Sequence, residues 1–284
     1  MADVLKCPES AISDRADARK RAGRRAYTKM ANEPTSWGDV AEWYDRLLGE
    51  GDTFQSKVIL PNLTRLLAPG PGDRILDLAC GPGYFAYAFA ANGAVVTGAD
   101  VSPELIALAK KNAPKGGGNG VAFVVAPSND LRAIADASMD KVVMVLAIQN
   151  VDDVRGTAAE CSRMLAPGGS LHVVMNHPSF RVPKGSSWAW DKNGAQYRRM
   201  DKYLTEAKVN IQMKPGADPG LMTISFHRPL QYYVKALAKA GFAVTNLEEW
   251  VSHKKSDSGP RAAEENRARK EIPMFMYLEA RMIR

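Results

Sequence analysis

Cysteine and long apolar runs are scarce in this sequence of 284 residues. The three cysteines, Cys7, Cys80 and Cys161, lie far apart and form no CxxC pair, which argues against a disulfide framework and against a zinc site. The longest apolar runs, such as residues 142–148, have the length of a buried strand, whereas a bilayer span needs roughly 20 residues. No apolar signal core follows Met1, so we expect a cytoplasmic protein with no bound metal and no membrane span.

An excess of one charge is confined to two segments. The chain has 38 Lys and Arg against 31 Asp and Glu, a net charge of +7. Residues 1–36 hold eight basic and five acidic side chains and residues 181–202 hold six and two, so these segments contain the whole excess. Residues 1–36 have few large apolar side chains and are predicted to be a disordered basic tail. Because a nucleic-acid-binding protein usually displays a broad basic face, a nucleic-acid partner stays open but is not favoured.

Strand and helix patterns alternate from residue 37 onward. Apolar runs typical of buried strands occur at residues 74–79, 94–99, 121–126, 141–148 and 170–175. Helical patterns lie before and between them, at residues 37–48, 53–67, 84–92, 103–112 and 154–165. Such alternation predicts an α/β fold in which helices cover both faces of a mostly parallel sheet.

Residues 178–226 interrupt this alternation. Strand-like pieces at residues 203–213 and 221–226 follow a stretch of aromatic and basic residues, which predicts a β-rich insert. The later elements are predicted at residues 229–240 (a helix), 242–250 and 273–282 (strands) and 253–269 (a charged, mobile loop).

A glycine turn between the first strand and the next helix carries the clearest chemical signal. Gly81 and Gly83 allow tight backbone angles and close approach of a ligand. Asp100, seventeen residues later, ends the second strand, where its carboxylate can accept hydrogen bonds from a ribose diol. The glycine spacing also fits the NAD fingerprint, but Asp77 would repel a pyrophosphate. The pattern therefore favours a cationic nucleoside such as S-adenosylmethionine over a dinucleotide.

The sequence resembles the class I S-adenosylmethionine-dependent methyltransferases, specifically the small-molecule branch that includes quinone-biosynthesis methyltransferases. Three stretches carry the resemblance in order: DLACGPG at 77–83, DVSP at 100–103 and LAPGGSL at 165–171. The resemblance implies a doubly wound, Rossmann-like sheet of seven strands, the last antiparallel, within a domain over residues 37–284. It also implies an N-terminal helical cap, a substrate-capping insert at 178–226 and S-adenosylmethionine as the cofactor.

The resemblance further implies roles for individual residues. The methionine part of the cofactor would lie against Asp77, Ala79, Gly81 and Gly83, the ribose on Asp100 and the adenine on Val101. Pro127 stands where the family usually has an aspartate. Adenine recognition then falls to the backbone of Ser128 or to the side chain of Asn129. Leu146, Ala147 and Gln149 are expected near the reactive methyl group.

Candidate acceptor residues lie where ligands bind in such sheets, at the carboxyl ends of strands four and five and on the insert. His177 and His227 are the predicted catalytic bases, because a hydroxyl or acidic-carbon nucleophile benefits from proton removal. The predicted acceptor-binding residues are Tyr44, Gln149, Asn176, Arg181, Trp188 and Arg228. The aromatic and basic residues of the insert could bind a flat anionic small molecule or stack with RNA bases. Alternatively, they belong to a surface flap with no binding role.

The main prediction is therefore methyl transfer from S-adenosylmethionine to an oxygen or carbon of a small molecule. An RNA methyltransferase that uses the basic tail and insert is one alternative, and a non-catalytic nucleotide-binding protein is another. The sequence carries no signal for an oligomeric state.

Overall fold

The computed structural model describes residues 37–38, 40–115, 120–212 and 222–283. All of them fall within one unit of the fold, residues 36–284. The predicted basic tail, residues 1–36, lies outside the described residues, so that prediction remains untested. Among the described residues, no helix is both long and apolar enough to cross a membrane.

A seven-stranded sheet forms the centre of the fold. Its strands are β1 (Arg74–Leu78), β2 (Val95–Asp100), β3 (Val121–Val125), β4 (Met139–Val145), β5 (Leu165–Asn176), β10 (Phe242–Trp250) and β11 (Phe275–Met282). Their spatial order is β10-β11-β5-β4-β1-β2-β3. Strands β1 to β5 pair in parallel, and β11 is antiparallel to both β5 and β10. The predicted doubly wound sheet with an antiparallel last strand is confirmed.

Helices cover both faces of this sheet. They are α1 (Ala41–Leu48), α2 (Leu60–Leu67), α3 (Tyr84–Ala90), α4 (Pro103–Lys111), α5 (Val154–Met164), α6 (Leu230–Lys239) and α7 (Ala262–Glu271). A π-helical turn, Gln55–Ile59, leads into α2, so the chain changes its hydrogen-bonding pattern just before Pro61, which has no N–H to donate. At α4 the Ser102 hydroxyl accepts the Leu105 N–H and Pro103 takes the first helical position, a cap that the sequence predicts.

Alternating strand residues build one apolar layer on each face. Leu76 and Val142 belong to the layer that packs with α5 and α6, whereas Ile75 and Val143 belong to the layer that packs with α2 and α3. All four side chains are fully buried. Each such side chain contributes about 1.5–3 kcal/mol by leaving water. This two-sided burial explains why the strands are continuously apolar in the sequence.

The insert between β5 and α6 consists of two antiparallel hairpins. Strands β6 (Ser186–Trp190) and β7 (Gln196–Met200) form the first, and β8 (Ala207–Gln212) and β9 (Met222–His227) form the second. The sequence predicts the second hairpin but not the first.

Helix α7 corrects the prediction of a loop at residues 253–269. Only Ala268 of this helix is buried, so its apolar pattern is too weak to detect. Tertiary contacts stabilise it instead: the Arg261 guanidinium lies 5.2 Å from the ring centre of Trp190, and Arg267 Nη2 donates to the Gln196 carbonyl at 3.0 Å. Helix α7 therefore supports the first hairpin of the insert.

Candidate active site

The glycine turn after β1 is fastened to the end of β2. Ala79 and Gly81 both have a positive φ, 59° and 54°. The Cys80 N–H donates to the Ala99 carbonyl at 3.0 Å, and the Gly81 N–H donates to Asp100 Oδ2 at 2.9 Å. The second oxygen of Asp100 accepts the Ser102 N–H at 2.9 Å. Asp100 thus holds the turn in shape as well as lining the cleft beside it.

Gly83 has a different environment from the one predicted. Its φ is 83°, and a Cβ there would lie 3.0 Å from Phe123 Cζ and 3.2 Å from Ala109 Cβ. Gly83 therefore permits close packing beneath α3 and is not among the residues that line the cleft. This packing gives Gly83 a structural role, and its predicted contact with the methionine part of the cofactor stays a prediction.

The cleft above the turn, here called the aspartate cleft, has a volume of about 120 Å³. Its lining residues are Trp37, Tyr44, Ala79, Gly81, Asp100, Val101, Leu105, Ala126, Ser128, Val145, Leu146, Ala147, Asn150 and Val151. The predicted residues Ala79, Gly81, Asp100, Val101, Ser128 and Leu146 are all on this list. Trp37, Leu105 and Val151 were not predicted, because they are ordinary apolar residues in the sequence.

Asp77 and Asp100 give the aspartate cleft its electrostatic character. Asp77 is buried, and burial together with the neighbouring Asp100 raises its pKa to about 7. Burial also raises the pKa of Asp100 above its ordinary value. Asp77 Oδ2 has no hydrogen-bond partner among the residues that the structure describes. A buried acceptor without a donor fits a cationic ligand that brings its own N–H groups, and it would repel a phosphate.

Tyr44 covers the glycine turn from α1. Its Cε1 lies 3.6 Å from the position of a Cβ on Gly81, and its ring contacts Trp37 edge-on with centroids 5.5 Å apart. Burial and the two nearby aspartates raise the pKa of Tyr44 to about 12, and Gln55 forms a hydrogen bond with it. Tyr44 is therefore a wall of the aspartate cleft, and its predicted contact with the acceptor stays a prediction.

Ser128, and not Asn129, faces the far end of the cleft. The Ser128 hydroxyl lies 2.8 Å from Thr157 Oγ1. Asn129 Nδ2 donates to Asp153 Oδ2 at 3.1 Å, and Asp153 caps α5. Asn129 therefore supports the α5 cap through its Nδ2, and the adenine contacts predicted for Ser128 and Asn129 stay predictions.

A short turn after β4, residues 146–150, separates the aspartate cleft from a second pocket. Leu146 has a φ of 52°, a left-handed conformation that costs on the order of 1–3 kcal/mol for a side chain of this kind. Asn150 lines the aspartate cleft, whereas Gln149 lines the other pocket. Gln149 Nε2 donates to the Leu146 carbonyl at 2.6 Å. The two cavities are thus divided by a single turn of backbone.

The second pocket, here called the arginine pocket, has a volume of about 30 Å³. It is lined by Gln149, Asn176, Pro178, Arg181, Pro183, Ser225, Phe226, His227, Arg228 and Tyr233. These residues come from the 146–150 turn, the end of β5, the start of the insert, β9 and α6. The predicted residues Gln149, Asn176, Arg181, His227 and Arg228 are brought together here, although up to 79 positions separate them in the sequence.

His227 is positioned to accept a proton in the arginine pocket. It is buried, and its Nε2 lies 2.7 Å from the backbone carbonyl oxygen of Tyr203. A carbonyl only accepts hydrogen bonds, so Nε2 carries the proton and Nδ1 keeps its lone pair. No residue in the described part of the chain donates to Nδ1.

His177, the other predicted base, lies outside the arginine pocket. Its Nε2 lies 2.6 Å from Glu249 Oε1, and its Nδ1 accepts the Ser179 N–H at 3.2 Å. Burial lowers the pKa of His177 despite the adjacent Glu249. Both ring nitrogens have partners, so His177 holds the turn after β5 against β10, and its predicted role as a base stays a prediction.

Arg228 and Trp188 also have internal partners. Arg228 donates to the carbonyls of Val151 and Asp152, both at 2.8 Å, and so ties the insert to the loop after the 146–150 turn. The Trp188 ring is contacted by the guanidinium groups of Arg181 and Arg198, with centroid distances of 5.6 and 5.3 Å. Arg228 lines the arginine pocket and Trp188 does not, and the predicted contacts of both with an acceptor stay predictions. Among the described residues, no group of three or more His, Cys, Asp or Glu side chains could hold a metal.

Comparison with known proteins agrees with this geometry. Residues 76–173 match the methyltransferase domain family. The chain is 36% identical over 138 residues to a demethylmenaquinone methyltransferase from Clavibacter sepedonicus, covering 48% of this chain and 54% of the relative. It is 33% identical over 103 residues to a ubiquinone biosynthesis O-methyltransferase from Paracidovorax citrulli, covering 36% and 43%. The chain thus spans about half the length of the curated relatives it matches.

One solved structure matches over a larger share of both chains. An S-adenosylmethionine dependent methyltransferase from Mesorhizobium loti superposes with a TM-score of 0.63 and 29% sequence identity, covering 78% of this chain and 96% of that one.

Proposed function

Residues 76–173 form a class I S-adenosylmethionine-dependent methyltransferase domain, and on that premise we propose that the protein methylates a small-molecule acceptor on an oxygen or carbon atom. The observation that carries this proposal is the arginine pocket. It lies one backbone turn away from the aspartate cleft, and residues of the insert line part of its volume of about 30 Å³. An acceptor that enters so small a pocket presents a small chemical group, not a folded surface.

The aspartate cleft holds the cofactor in this proposal. S-adenosylmethionine supplies an electrophilic methyl group on a sulfonium. Asp77 Oδ2 would accept hydrogen bonds from its ammonium group, and Asp100 would hold the ribose. Tyr44 and Trp37 shield the glycine turn from water, which strengthens the attraction between carboxylates and a cation in the cleft.

His227 would serve as the base for a hydroxyl nucleophile. The Tyr203 carbonyl fixes the tautomer, so Nδ1 could take the proton of the acceptor's hydroxyl. The hydroxyl oxygen would bond to the methyl carbon as the bond from that carbon to sulfur breaks, with S-adenosylhomocysteine as the leaving group. Asn176, at the end of β5, and Gln149 would orient the acceptor from the side that adjoins the cleft. The enzyme's own contribution is therefore positioning, exclusion of water and removal of one proton.

The names of the relatives suggest quinone-type acceptors. The family match itself does not include the part of the arginine pocket that the insert forms. The family match ends at residue 173, ahead of Asn176, Arg181 and His227. The residues of the insert that line the arginine pocket therefore lie outside the region that the family model matches. The proposal therefore covers the reaction class and a small-molecule acceptor, and it does not include a quinone ring.

The internal contacts of the basic side chains in the insert argue against RNA as the methyl acceptor. Arg198 donates to the Phe180 carbonyl and to Ser186 Oγ, and Arg199 pairs with Asp201. Arg181 and Arg198 also contact the Trp188 ring, at 5.6 and 5.3 Å from its centre. These groups hold the hairpin together and do not present the open stacking platform that single-stranded RNA requires.

A labelling experiment tests the proposal. The full chain is incubated with S-adenosylmethionine carrying a labelled methyl group, and separately with the small-molecule, RNA and protein fractions of a cell extract. We expect label in the small-molecule fraction and, at a cofactor concentration below saturation, much less label with the Asp100→Asn variant. Label in RNA, with binding that weakens steeply as salt rises, would replace the proposal with the RNA alternative.

A further inference from the structure

We propose that the arginine pocket binds a carboxylate of the methyl acceptor, with Arg181 as the cation that pairs with it. Gln149 accepts a hydrogen bond from a hydroxyl adjacent to that carboxylate. This inference rests on the proposed function, because it names the chemical class of the acceptor. The acceptor is then a hydroxy acid, bound by its acidic end on the far side of the 146–150 turn from the cofactor.

Arg181 is a cation without a counter-ion. Its Nε is buried and has no hydrogen-bond partner in the described part of the chain, and no carboxylate there forms an ion pair with it. Burial and the nearby Arg198 lower the pKa of Arg181 to about 10. A guanidinium whose Nε is buried without a hydrogen-bond partner carries a cost, and an anionic ligand offsets that cost with two parallel hydrogen bonds.

The first hairpin of the insert holds Arg181 in place. The guanidinium lies 5.6 Å from the ring centre of Trp188, which Arg198 contacts at 5.3 Å. Arg198 in turn is held by the Phe180 carbonyl at 2.8 Å and by Ser186 Oγ at 2.7 Å. Carbonyl and hydroxyl dipoles orient Arg198 without neutralising it, so two positive charges share one indole. This arrangement attracts an anion and fixes where its partner lies.

Gln149 has a hydrogen-bond acceptor that lacks a donor. Its Nε2 is used by the Leu146 carbonyl, whereas its buried Oε1 has no donor among the described residues. A carboxylate cannot satisfy that oxygen, because both groups only accept, so the ligand must also bring a hydroxyl or N–H. A cavity of about 30 Å³ holds roughly one or two waters, which is the size of a carboxylate and not of a ring. The rest of the acceptor would therefore extend toward the 146–150 turn.

Calorimetric titration of matched small probes tests the site. The full chain, loaded with S-adenosylhomocysteine, is titrated with benzoate, with its neutral analogue benzamide, with 2-hydroxybenzoate and with inorganic phosphate. We expect benzoate to bind at least about tenfold more tightly than benzamide, which is the scale of one charge-assisted hydrogen bond. We expect 2-hydroxybenzoate to bind more tightly still, and phosphate more weakly than benzoate. Equal affinity for benzoate and benzamide, no saturable binding of benzoate, or a preference for phosphate would overturn the inference.

Two variants assign the effect to residues. Arg181→Gln should remove the preference for benzoate over benzamide and leave benzamide unchanged. Gln149→Leu should remove the advantage of 2-hydroxybenzoate over benzoate. The control is Arg199→Gln, since Arg199 lies on the same hairpin, is exposed and pairs with Asp201 outside the pocket. A benzoate preference that survives in Arg181→Gln would assign the anion to another cation.

Binding of S-adenosylhomocysteine separates this inference from the proposed function. All variants should bind it with wild-type affinity, which also shows that they are folded. If wild type binds it but does not prefer benzoate, the carboxylate site is wrong and the methyltransferase proposal stands. If wild type does not bind it, the proposed function fails. Titrating the cofactor-free protein with benzoate and benzamide then still decides whether Arg181 forms an anion site.

Discussion

The aspartate cleft and the arginine pocket lie on opposite sides of the 146–150 turn and carry opposite charge. Asp100 lines the cleft, and Asp77, which is also buried, lies near Asp100 and Tyr44 without being part of the lining. No cation pairs with either carboxylate in the described residues. The pocket contains Arg181, which has no carboxylate partner there. We propose that each cavity takes a ligand of the opposite sign, a cationic cofactor on one side and an anionic acceptor on the other.

This difference shows how one fold can hold two ligands in order. In this arrangement each ligand has its charge paired at the end far from the other ligand. The transferred methyl group then lies in the region between the two ligands, beside Leu146 and Gln149. The two regions also differ in how they are assembled. The aspartates belong to neighbouring strands within 24 residues of sequence, whereas the arginine pocket collects residues from 149 to 233. The following experiments test this contrast.

The largest effect should come from the arginine pocket, at His227. If Nδ1 removes the acceptor's proton, His227→Ala should lower kcat by about 10²–10⁴, the usual contribution of a positioned base. Binding of S-adenosylhomocysteine should not change, because His227 is outside the aspartate cleft. His253→Ala is the control, since His253 pairs with Asp52 elsewhere. Full turnover in a folded His227→Ala enzyme would mean that the acceptor needs no base from this side chain.

The aspartate cleft should respond through affinity and not through kcat. Asp100→Asn keeps the side-chain shape but removes the charge and one acceptor oxygen. We expect affinity for S-adenosylhomocysteine to fall by about 1.5–3 kcal/mol, or roughly 10- to 150-fold. Asp140→Asn is the matched control, because Asp140 lies near the amino end of β4, at the opposite edge of the sheet, and pairs with Arg74. Unchanged affinity in folded Asp100→Asn would remove the ribose assignment.

Asp77 should make cofactor binding depend on pH. Its pKa is about 7 in the free protein, and a cation binds the ionised form. Affinity for S-adenosylhomocysteine should therefore rise about tenfold between pH 6 and pH 8, with proton release on binding. The free energy of unfolding of the free protein should instead fall as the pH rises. A raised carboxyl pKa contributes stability at low pH that is lost as pH rises from about 4 to about 7.

The Asp77→Asn variant provides the control for this pH dependence. It should flatten both the affinity profile and the stability profile, as measured by calorimetry and by chemical denaturation across the same pH range. A tenfold rise that persists in Asp77→Asn would assign the titration to another group, with Asp100 the first to examine because burial also raises its pKa.

The smallest effect on turnover should come from His177. His177→Gln loses the hydrogen bond to Glu249 and should reduce the free energy of unfolding by about 0.5–1.5 kcal/mol. Turnover should stay within about twofold of wild type, because this histidine contacts neither cavity. A tenfold loss of kcat with stability intact would restore His177 as a candidate base and weaken the contrast between the two histidines.

Prediction from the sequence succeeded where the signal was local. The glycine turn, Asp77 and Asp100 lie in short contiguous patterns, and the Ser102–Pro103 cap marks the start of α4. It failed where a side chain's partners come from afar. Nothing near His177 in the sequence indicates that Glu249 occupies its Nε2, and nothing near Gly83 indicates Phe123 beneath it. Helix α7 was missed for the same reason, since its stabilising contacts lie on the insert.

The amino-acid sequence by itself determined the alternation of strands and helices, the parallel sheet and the acidic seat for a cationic nucleoside, because backbone hydrogen bonding and apolar periodicity act over neighbouring residues. Only the tertiary structure decided which of the acceptor candidates meet. Five of them line the arginine pocket, while Tyr44 joins the aspartate cleft and Trp188 supports Arg181. The physical reason is that a side chain's role depends on which groups fill its hydrogen-bonding and charge-pairing capacity, and in this protein most of those groups are distant in sequence.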